Sequence, residues 1–282
     1  MSLLDAFQLP FMARALVTLL VLAFAAGTVG VLVNLRRLEF LSDGLTHAAF
    51  PGLVLGFLVA GSPGLLPGAL IVALAAALLL SLLQRRGVGD QSLIAIVLTS
   101  FFSVGVLLVS TRQGYSAQLS EMLFGRLLTI DDQQVAVTVA IVAVALLLVA
   151  ITWRRQVFLA FDADGARASR LRTVWLDIAL NTAVVLVVVA ASAAVGTLLV
   201  LAVLIVPGAA ARLATSGIGA AVAVATVFAV LSSAAGLALT WELSIGLDVQ
   251  AAPGGVVALT MIAAYLLFLA GHGIAALVRR RR

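Results

Sequence analysis

The chain of 282 residues contains neither cysteine nor lysine, and all 17 of its basic residues are arginine. The absence of cysteine excludes disulfides and thiolate metal sites within the chain. The absence of lysine excludes a P-loop, because that motif uses a lysine to reach the β- and γ-phosphates of a nucleotide. The chain is therefore not expected to be an ATP-hydrolysing enzyme by itself.

Charged residues are also scarce: they make up 10% of the chain, whereas 63% of the residues are hydrophobic. A typical soluble domain has about 25% charged residues. With a mean hydropathy of +1.24, the chain cannot cover a water-facing globule. We predict an all-α, polytopic membrane protein with a single transmembrane domain over residues 1–282. The net charge of +5 reflects arginines in loops, and no nucleic-acid partner is expected.

Apolar segments of about 20 residues mark the predicted spans. They lie near 11–33, 45–60, 66–84, 91–110, 132–152, 174–194, 197–213, 218–240 and 254–278. The sixth and seventh are nearly continuous, so both eight and nine spans are consistent with the pattern. The first is too long for the apolar region of a cleavable signal peptide. With nine spans, every arginine except Arg14, Arg112 and Arg126 falls on one side, which predicts the N-terminus outside and the C-terminus inside.

The stretch from Arg36 to Gly56, RRLEFLSDGLTHAAFPGLVLG, places Glu39, Asp43 and His47 four residues apart. On a helix these three residues form one polar stripe. If Arg36 marks the membrane boundary, Asp43 lies about 10 Å and His47 about 16 Å deeper. Ionisable residues at such depth usually face a bundle interior or a transport pathway.

Aspartate and histidine one turn apart suit a divalent transition metal, and zinc, manganese and ferrous iron all accept these ligands. Two ligands are too few for a complete site, but a symmetric dimer would supply two of each. The alternative interpretation is a structural hydrogen bond between Asp43 and His47, with Arg36 or Arg37 nearby. We expect a metal pathway, with Glu39 as a further candidate ligand.

Several other features have weaker interpretations. Pro51 and Pro207 each leave a helix carbonyl without its usual donor, which suits a kink or gate. Gly52, Gly56, Gly64 and Gly68 have the spacing that lets helix backbones approach closely. Asp177 and Asn181 are expected to have a structural role, pairing with Arg172. Residues 153–173 are either a solvated, positively charged loop or a short amphipathic helix that docks a cytoplasmic partner.

RRLEFLSDGLTHAAFPGLVLGF resembles a signature of the membrane permeases of ABC-type zinc, manganese and iron uptake systems, which typically read RRMSFLGDALSHAxxPGIAL. The likeness continues in order through LTSFFSVGVLL, MLFGRLL, FDADGARASRL and AVGTLLVLAVLIVPGAAARL. It covers the chain from about Phe7 to the last span. Ser42 replaces a usual glycine, Glu39 replaces a small polar residue, and Ala163 replaces a usual proline.

The resemblance implies a multi-pass cell-membrane permease that pairs with a second copy or a similar permease. It also implies a separate cytoplasmic ATP-binding subunit and an extracytoplasmic metal-binding protein. Asp43 and His47 would lie in the path of a transported Zn²⁺, Mn²⁺ or Fe²⁺ ion, and no permanently bound cofactor is expected. Glu39 would extend the path toward the cytosol or pair with Arg36. The segment that would couple to the ATPase includes Phe161, Asp162, Asp164, Arg167 and Leu171.

A different class of function also fits the polar stripe. A self-contained carrier coupled to protons or sodium would use Asp43 and His47 as a relay. The two functions differ in their dependence on a partner: uptake by the permease requires an ATPase, whereas the carrier transports alone along an ion gradient.

Overall fold

The structure is a computed structural model that describes residues 7–84, 90–110, 125–197, 200–246, 249 and 251–280. These residues contain ten α-helices and no β-strand. The helices are α1 (Pro10–Leu35), α2 (Glu39–Ala60), α3 (Leu65–Gln84), α4 (Asp90–Ser110), α5 (Asp132–Phe161), α6 (Ala163–Ala168), α7 (Thr173–Val195), α8 (Val200–Ala214), α9 (Ile218–Trp241) and α10 (Pro253–Arg280). The α1 helix contains one π-helical turn, Ala26–Gly30.

In the described part of the chain, eight helices are long and apolar enough to cross a membrane, and α8, with 15 residues, is shorter. The prediction of a polytopic all-α protein is therefore confirmed. Two predicted boundaries were wrong. The second span begins at Glu39 rather than at residue 45, because the helix already includes its polar first turn. The fifth continues to Phe161 rather than ending at residue 152, so part of segment 153–173 belongs to α5.

The helix α7 lies at the centre of the bundle and packs against α2, α3 and α5. Most of α7, α1 and α2 is buried, whereas α3, α4, α5, α9 and α10 leave most of their surface uncovered. These outer helices expose large apolar side chains, among them Ile71, Leu107, Ile151, Leu231 and Leu267. Such an apolar outer surface is what a protein surrounded by lipid requires, because lipid tails do not hydrogen-bond.

Four chain segments meet at one end of the bundle, which we call the arginine-rich end: the α1–α2 turn, the end of α5, α6, and the start of α7. Arg36 from the α1–α2 turn donates to Gln156 of α5 and to Asp177 of α7. At the opposite end, Arg14 of α1 forms an ion pair with Asp132 of α5. These contacts show which helix ends lie together at each end of the bundle. That the N-terminus lies outside and the C-terminus inside stays a prediction.

The predicted partner of Asp177 was wrong. Its carboxylate pairs with Arg36 at 2.5 Å, because the α1–α2 turn directs Arg36 between α5 and α7. Arg172 is exposed and precedes α7 in a non-helical conformation, whereas the Asp177 carboxylate is bonded to Arg36. Asn181 instead donates to the Ser81 hydroxyl of α3 at 3.0 Å. Both residues nonetheless have the structural role that was expected.

The helices α1 and α6 end in the same kind of turn. In α1, the Leu38 amide donates to the Val33 carbonyl at 2.9 Å and the Arg37 amide donates to the Asn34 carbonyl at 3.4 Å. This pattern is a Schellman motif, which usually places glycine at the left-handed position. Here Arg37 occupies that position with a φ of 54°. The α6 helix repeats the motif, with Arg170 at the left-handed position and the same φ.

Glycines let the backbones of α2 and the start of α3 approach each other closely. A Cβ atom added at Gly52 would lie 2.6 Å from the Gly68 carbonyl oxygen, and one at Gly56 would clash with the Gly64 carbonyl. Backbone atoms cannot move aside as a flexible side chain can. The sequence prediction of close packing at these four glycines is confirmed.

We expect Gly56→Ala to destabilise the protein by about 1–3 kcal/mol, because the added methyl group overpacks a contact made by backbone atoms. The measurement is the thermal unfolding transition of the purified chain in detergent. Gly219→Ala, in α9, is the matched control, because a Cβ atom there meets no neighbour within 4 Å. An unchanged transition for Gly56→Ala would contradict the close contact.

Candidate metal site and coupling segment

The first two turns of α2 carry the polar stripe. Glu39, Asp43 and His47 are all half-buried, and they recur along one face of the helix. The Asp43 and His47 side chains are 29% and 21% exposed, and Asp43 Oδ1 lies 3.5 Å from His47 Nε2. This separation is longer than a typical N–H···O hydrogen bond of about 2.9 Å. The structural interpretation of the pair as one hydrogen bond is therefore poorly satisfied.

The same separation suits two ligands of one metal ion. Two bonds of about 2.1 Å that meet at a tetrahedral angle place their ligand atoms about 3.4 Å apart. The observed distance between Asp43 Oδ1 and His47 Nε2 is 3.5 Å. The distance is therefore compatible with two ligands of one ion, and the binding of a metal by this pair stays a prediction.

The imidazole of His47 is held by an aromatic contact. Its ring meets Phe102 of α4 edge to face, with ring centroids 5.2 Å apart and planes at 88°. The ring centroids of Phe102 and Phe50 are 5.5 Å apart. The Nδ1 atom of His47 is buried and has no hydrogen-bond partner among the residues that the structure describes. The ring is thus oriented by packing, and Nε2 is the nitrogen that faces Asp43.

The described residues of one copy do not complete a metal site. Within the described ranges, no three His, Cys, Asp or Glu side chains cluster closely enough to hold an ion. Asp43 and His47 are brought together, whereas the Glu39 carboxylate lies one further turn away, toward the arginine-rich end. Arg36 is bonded to Gln156 and Asp177, so the predicted pairing of Glu39 with Arg36 does not occur.

Both predicted kink residues lie inside helices that continue past them. Pro51 is buried in α2, one turn beyond His47, and Pro207 is buried in α8. A Cβ atom added at Gly105 of α4 would lie 3.2 Å from the Pro51 nitrogen, so α4 packs closely against this point of α2. A gating role for the two prolines stays a prediction.

The predicted coupling segment is a short helix between two long ones, not a loop. Asp162 caps α6, because its Oδ1 accepts a 2.7 Å hydrogen bond from the Gly165 amide. Phe161 is exposed at the end of α5, and Asp164 forms an exposed ion pair with Arg167 at 2.6 Å. Leu171 differs from the other four residues, since it packs inward against Leu159, Ala166 and Leu176.

Sequence reasoning missed two residues beside these sites. Phe102, which orients His47, lies in the motif LTSFFSVGVLL, but nothing in that local pattern distinguishes it from the neighbouring phenylalanine. Gln156 is fully buried, and its signal was present: it is an uncharged polar residue next to two arginines in an apolar helix. A cavity of about 270 Å³ at the opposite end, lined by Leu53, Phe57, Arg126, Thr138 and Ser192 among others, had no sequence signal.

Known proteins with the same pattern identify the family. The ABC 3 transport family matches residues 8–272. The chain belongs to the ABC 3 transport family. This membership confirms the resemblance seen in the sequence, and the chain is a multi-pass permease of the cell membrane.

Individual relatives cover most of the chain. A manganese import system permease protein ScaB from Streptococcus parasanguinis is 28% identical over 84% of both chains. A manganese transport system membrane protein MntC from Halalkalibacterium halodurans is 30% identical over 80% of this chain and 77% of its own length. The solved structure of PsaBC from Streptococcus pneumoniae in complex with Fab matches with a TM-score of 0.82, at 28% identity and 94% coverage of both chains.

We expect Asp162→Ala to loosen the start of α6 by about 1 kcal/mol, because the Gly165 amide loses its capping oxygen. The measurement is amide hydrogen exchange of peptides that cover residues 162–168. Asp164→Ala is the matched control, since it removes a carboxylate from an exposed ion pair, and such pairs contribute little. Equal exchange in both variants would contradict the capping role.

Proposed function

We propose that the chain is the permease of an ATP-driven importer of a divalent transition-metal ion. The observation that carries this proposal is the pairing of Asp43 with His47, whose ligand atoms lie 3.5 Å apart on a half-buried face of α2. Mn²⁺ is the first candidate, because two relatives are named for manganese. Zn²⁺ and Fe²⁺ accept the same ligands.

The transported ion is bound between two copies of the chain or between this chain and a similar permease. Each copy contributes one carboxylate and one imidazole, and Asp43 and His47 are partly exposed on their own copy. Two aspartates also balance the charge of a divalent ion. The incompleteness of the ligand set in the described part of one chain supports this arrangement.

ATP is hydrolysed by a separate cytoplasmic subunit, because the chain has no lysine for a P-loop. That subunit docks on α6 and its flanking residues, where Phe161 and Arg167 are exposed. The arginine-rich end then faces the cytoplasm, in agreement with the positive-inside rule. A metal-binding protein delivers the ion on the opposite side.

We expect Asp43→Asn and His47→Gln each to reduce metal uptake at least tenfold, because each removes one ligand from the site. The measurement is uptake of radioactive Mn²⁺, Zn²⁺ and Fe²⁺ by cells that express the complete transporter. His272→Gln is the matched control, since His272 is the other histidine of the chain and is exposed on α10. Glu39→Gln, measured in parallel, tests whether that carboxylate belongs to the path.

Uptake that survives both substitutions at normal expression would refute the proposed metal site. Metal transport by the purified chain alone, driven by a pH gradient, would refute the ATP-driven function. That second result would favour the self-contained carrier.

We expect Phe161→Ala and Arg167→Glu to lower ATP-driven uptake about tenfold while metal binding by the permease persists, because both residues contact the ATPase and not the ion. The measurement is the ratio of transported metal to hydrolysed ATP in proteoliposomes. Phe268→Ala, which removes an exposed phenylalanine of α10, is the control. Loss of metal binding in these variants would contradict the assignment of roles.

A further inference from the structure

We infer that Arg36 is a positioning residue that links movement of the coupling helix α6 to the start of the metal-binding helix α2. This inference rests on the proposed function. Arg36 belongs neither to the proposed metal-binding residues, Asp43 and His47, nor to the proposed docking surface on α6. The inference follows from a continuous series of contacts at the arginine-rich end.

The first contact of the series joins α6 to its neighbours. Ala166 of α6 is fully buried and packs in a small apolar cluster with Leu159 of α5 and Leu176 of α7, with Leu171 packed against them. Because packed interiors transmit displacement rather than absorb it, a push on α6 moves the last turn of α5 and the first turn of α7.

The second contact carries this displacement to a buried amide. The Gln156 side chain is fully buried, and its Nε2 donates to the Leu176 carbonyl at 2.7 Å. Its Oε1 accepts from Arg36 Nη1 at 2.9 Å. The side-chain amide of Gln156 therefore makes two hydrogen bonds, one to the backbone of Leu176 in the apolar cluster and one to Arg36 in the α1–α2 turn.

The third contact is the second arm of the guanidinium. Arg36 Nη2 meets Asp177 Oδ1 at 2.5 Å, and the Arg36 side chain is 14% exposed. The planar fork thus holds α5 and α7 at the same time, which a lysine ammonium on its flexible stem does less rigidly. A partly buried ion pair such as this one is weak evidence for stability, and a role in fixing one arrangement is the better-supported use of such a pair.

The last step runs along the chain. Arg36 lies three residues before Glu39, the first residue of α2, and the turn between them is held by the Schellman hydrogen bonds of Arg37 and Leu38. A displacement of Arg36 therefore moves the start of α2. Asp43 lies one turn into that helix and His47 two turns, so the ligand pair follows the movement.

Arg36 is distinguished from the neighbouring arginine by these contacts. Arg37 is exposed, whereas Arg36 makes side-chain hydrogen bonds to two other helices. Arg37→Lys is therefore a matched control for Arg36→Lys: both keep the charge, but only Arg36→Lys replaces the fork that bridges α5 and α7.

The first experiment measures the link itself in the full chain. The natural chain has no cysteine, so Phe40→Cys in α2 and Ser169→Cys after α6, both at exposed positions, accept two spin labels. Labelled chain is mixed with an excess of unlabelled chain, so that pulsed EPR in nanodiscs reads the distance within one chain. We expect a narrow distance distribution that broadens in Arg36→Lys and stays narrow in Arg37→Lys.

The second experiment measures the consequence for transport. In proteoliposomes with the ATP-binding subunit and the metal-binding protein, we expect Arg36→Lys to lower the ratio of transported Mn²⁺ to hydrolysed ATP about tenfold, with assembly of the complex retained. Gln156→Met is the second variant, since it breaks the same link without a change of charge and keeps the side-chain volume. It should lower the ratio in the same direction.

The outcomes distinguish a failure of the positioning role of Arg36 from a failure of the proposed function. An unchanged EPR distribution in Arg36→Lys refutes the link. A broadened distribution with an unchanged ratio, or a parallel loss of transport and hydrolysis, leaves Arg36 a structural residue and refutes the positioning role. Failure of the wild-type complex to transport with ATP refutes the proposed function, and the inference with it.

Discussion

The constraint on which the structure depends is the cost of a buried polar group without a hydrogen-bond partner in an apolar surrounding. Serine and threonine hydroxyls meet it locally by donating to the carbonyl four residues back, as Thr46, Ser81, Ser192 and Thr240 do. Longer polar side chains meet it between helices, and Arg36, Gln156 and Asn181 join α1, α3, α5 and α7 in this way. The imidazole of His47 is an exception, because its buried Nδ1 atom lacks a partner in the described part of the chain. His47 is also one of the two residues for which we propose a metal-binding role.

The helices were predictable because lipid and packed helices impose the same apolar requirement over about 20 residues. The boundaries failed where a helix continues through polar residues. The first turn of α2 contains Glu39 and Asp43, and α5 runs through Arg154 and Arg155, so hydropathy marked the apolar core of each helix and not its ends. The turn at Arg37 was also unpredictable, because its left-handed residue is an arginine rather than glycine.

The proximity of Asp43 and His47 was predictable from local spacing, since residues four apart on a helix lie side by side; that the two residues bind metal stays a prediction. The role of Phe102 was not predictable, because it contacts a residue more than 50 positions away in the chain. Gln156 stood out as a polar residue beside two arginines, but its partners, Arg36 and the Leu176 carbonyl, depend on how the helices pack. The pairing of Asp177 with Arg36 shows the same limit, because the nearest arginine in sequence, Arg172, is exposed and the actual partner comes from the α1–α2 turn. Local periodicity thus predicts which side chains share a face, while the partner across the bundle depends on how helices are arranged.

The glycine contact between α2 and α3 has a consequence for how Asp43 and His47 can move. Backbone meets backbone at Gly52, Gly56, Gly64 and Gly68, so at these four positions the contact is made by atoms that cannot change rotamer to let one helix turn against the other. A rotation of α2 about its own axis would press these backbone atoms into one another, so we expect α2 and the start of α3 to move together. A movement of α2 that changes the direction of Asp43 and His47 would then carry α3 with it, and the exposed apolar surface of α3 would shift against the lipid.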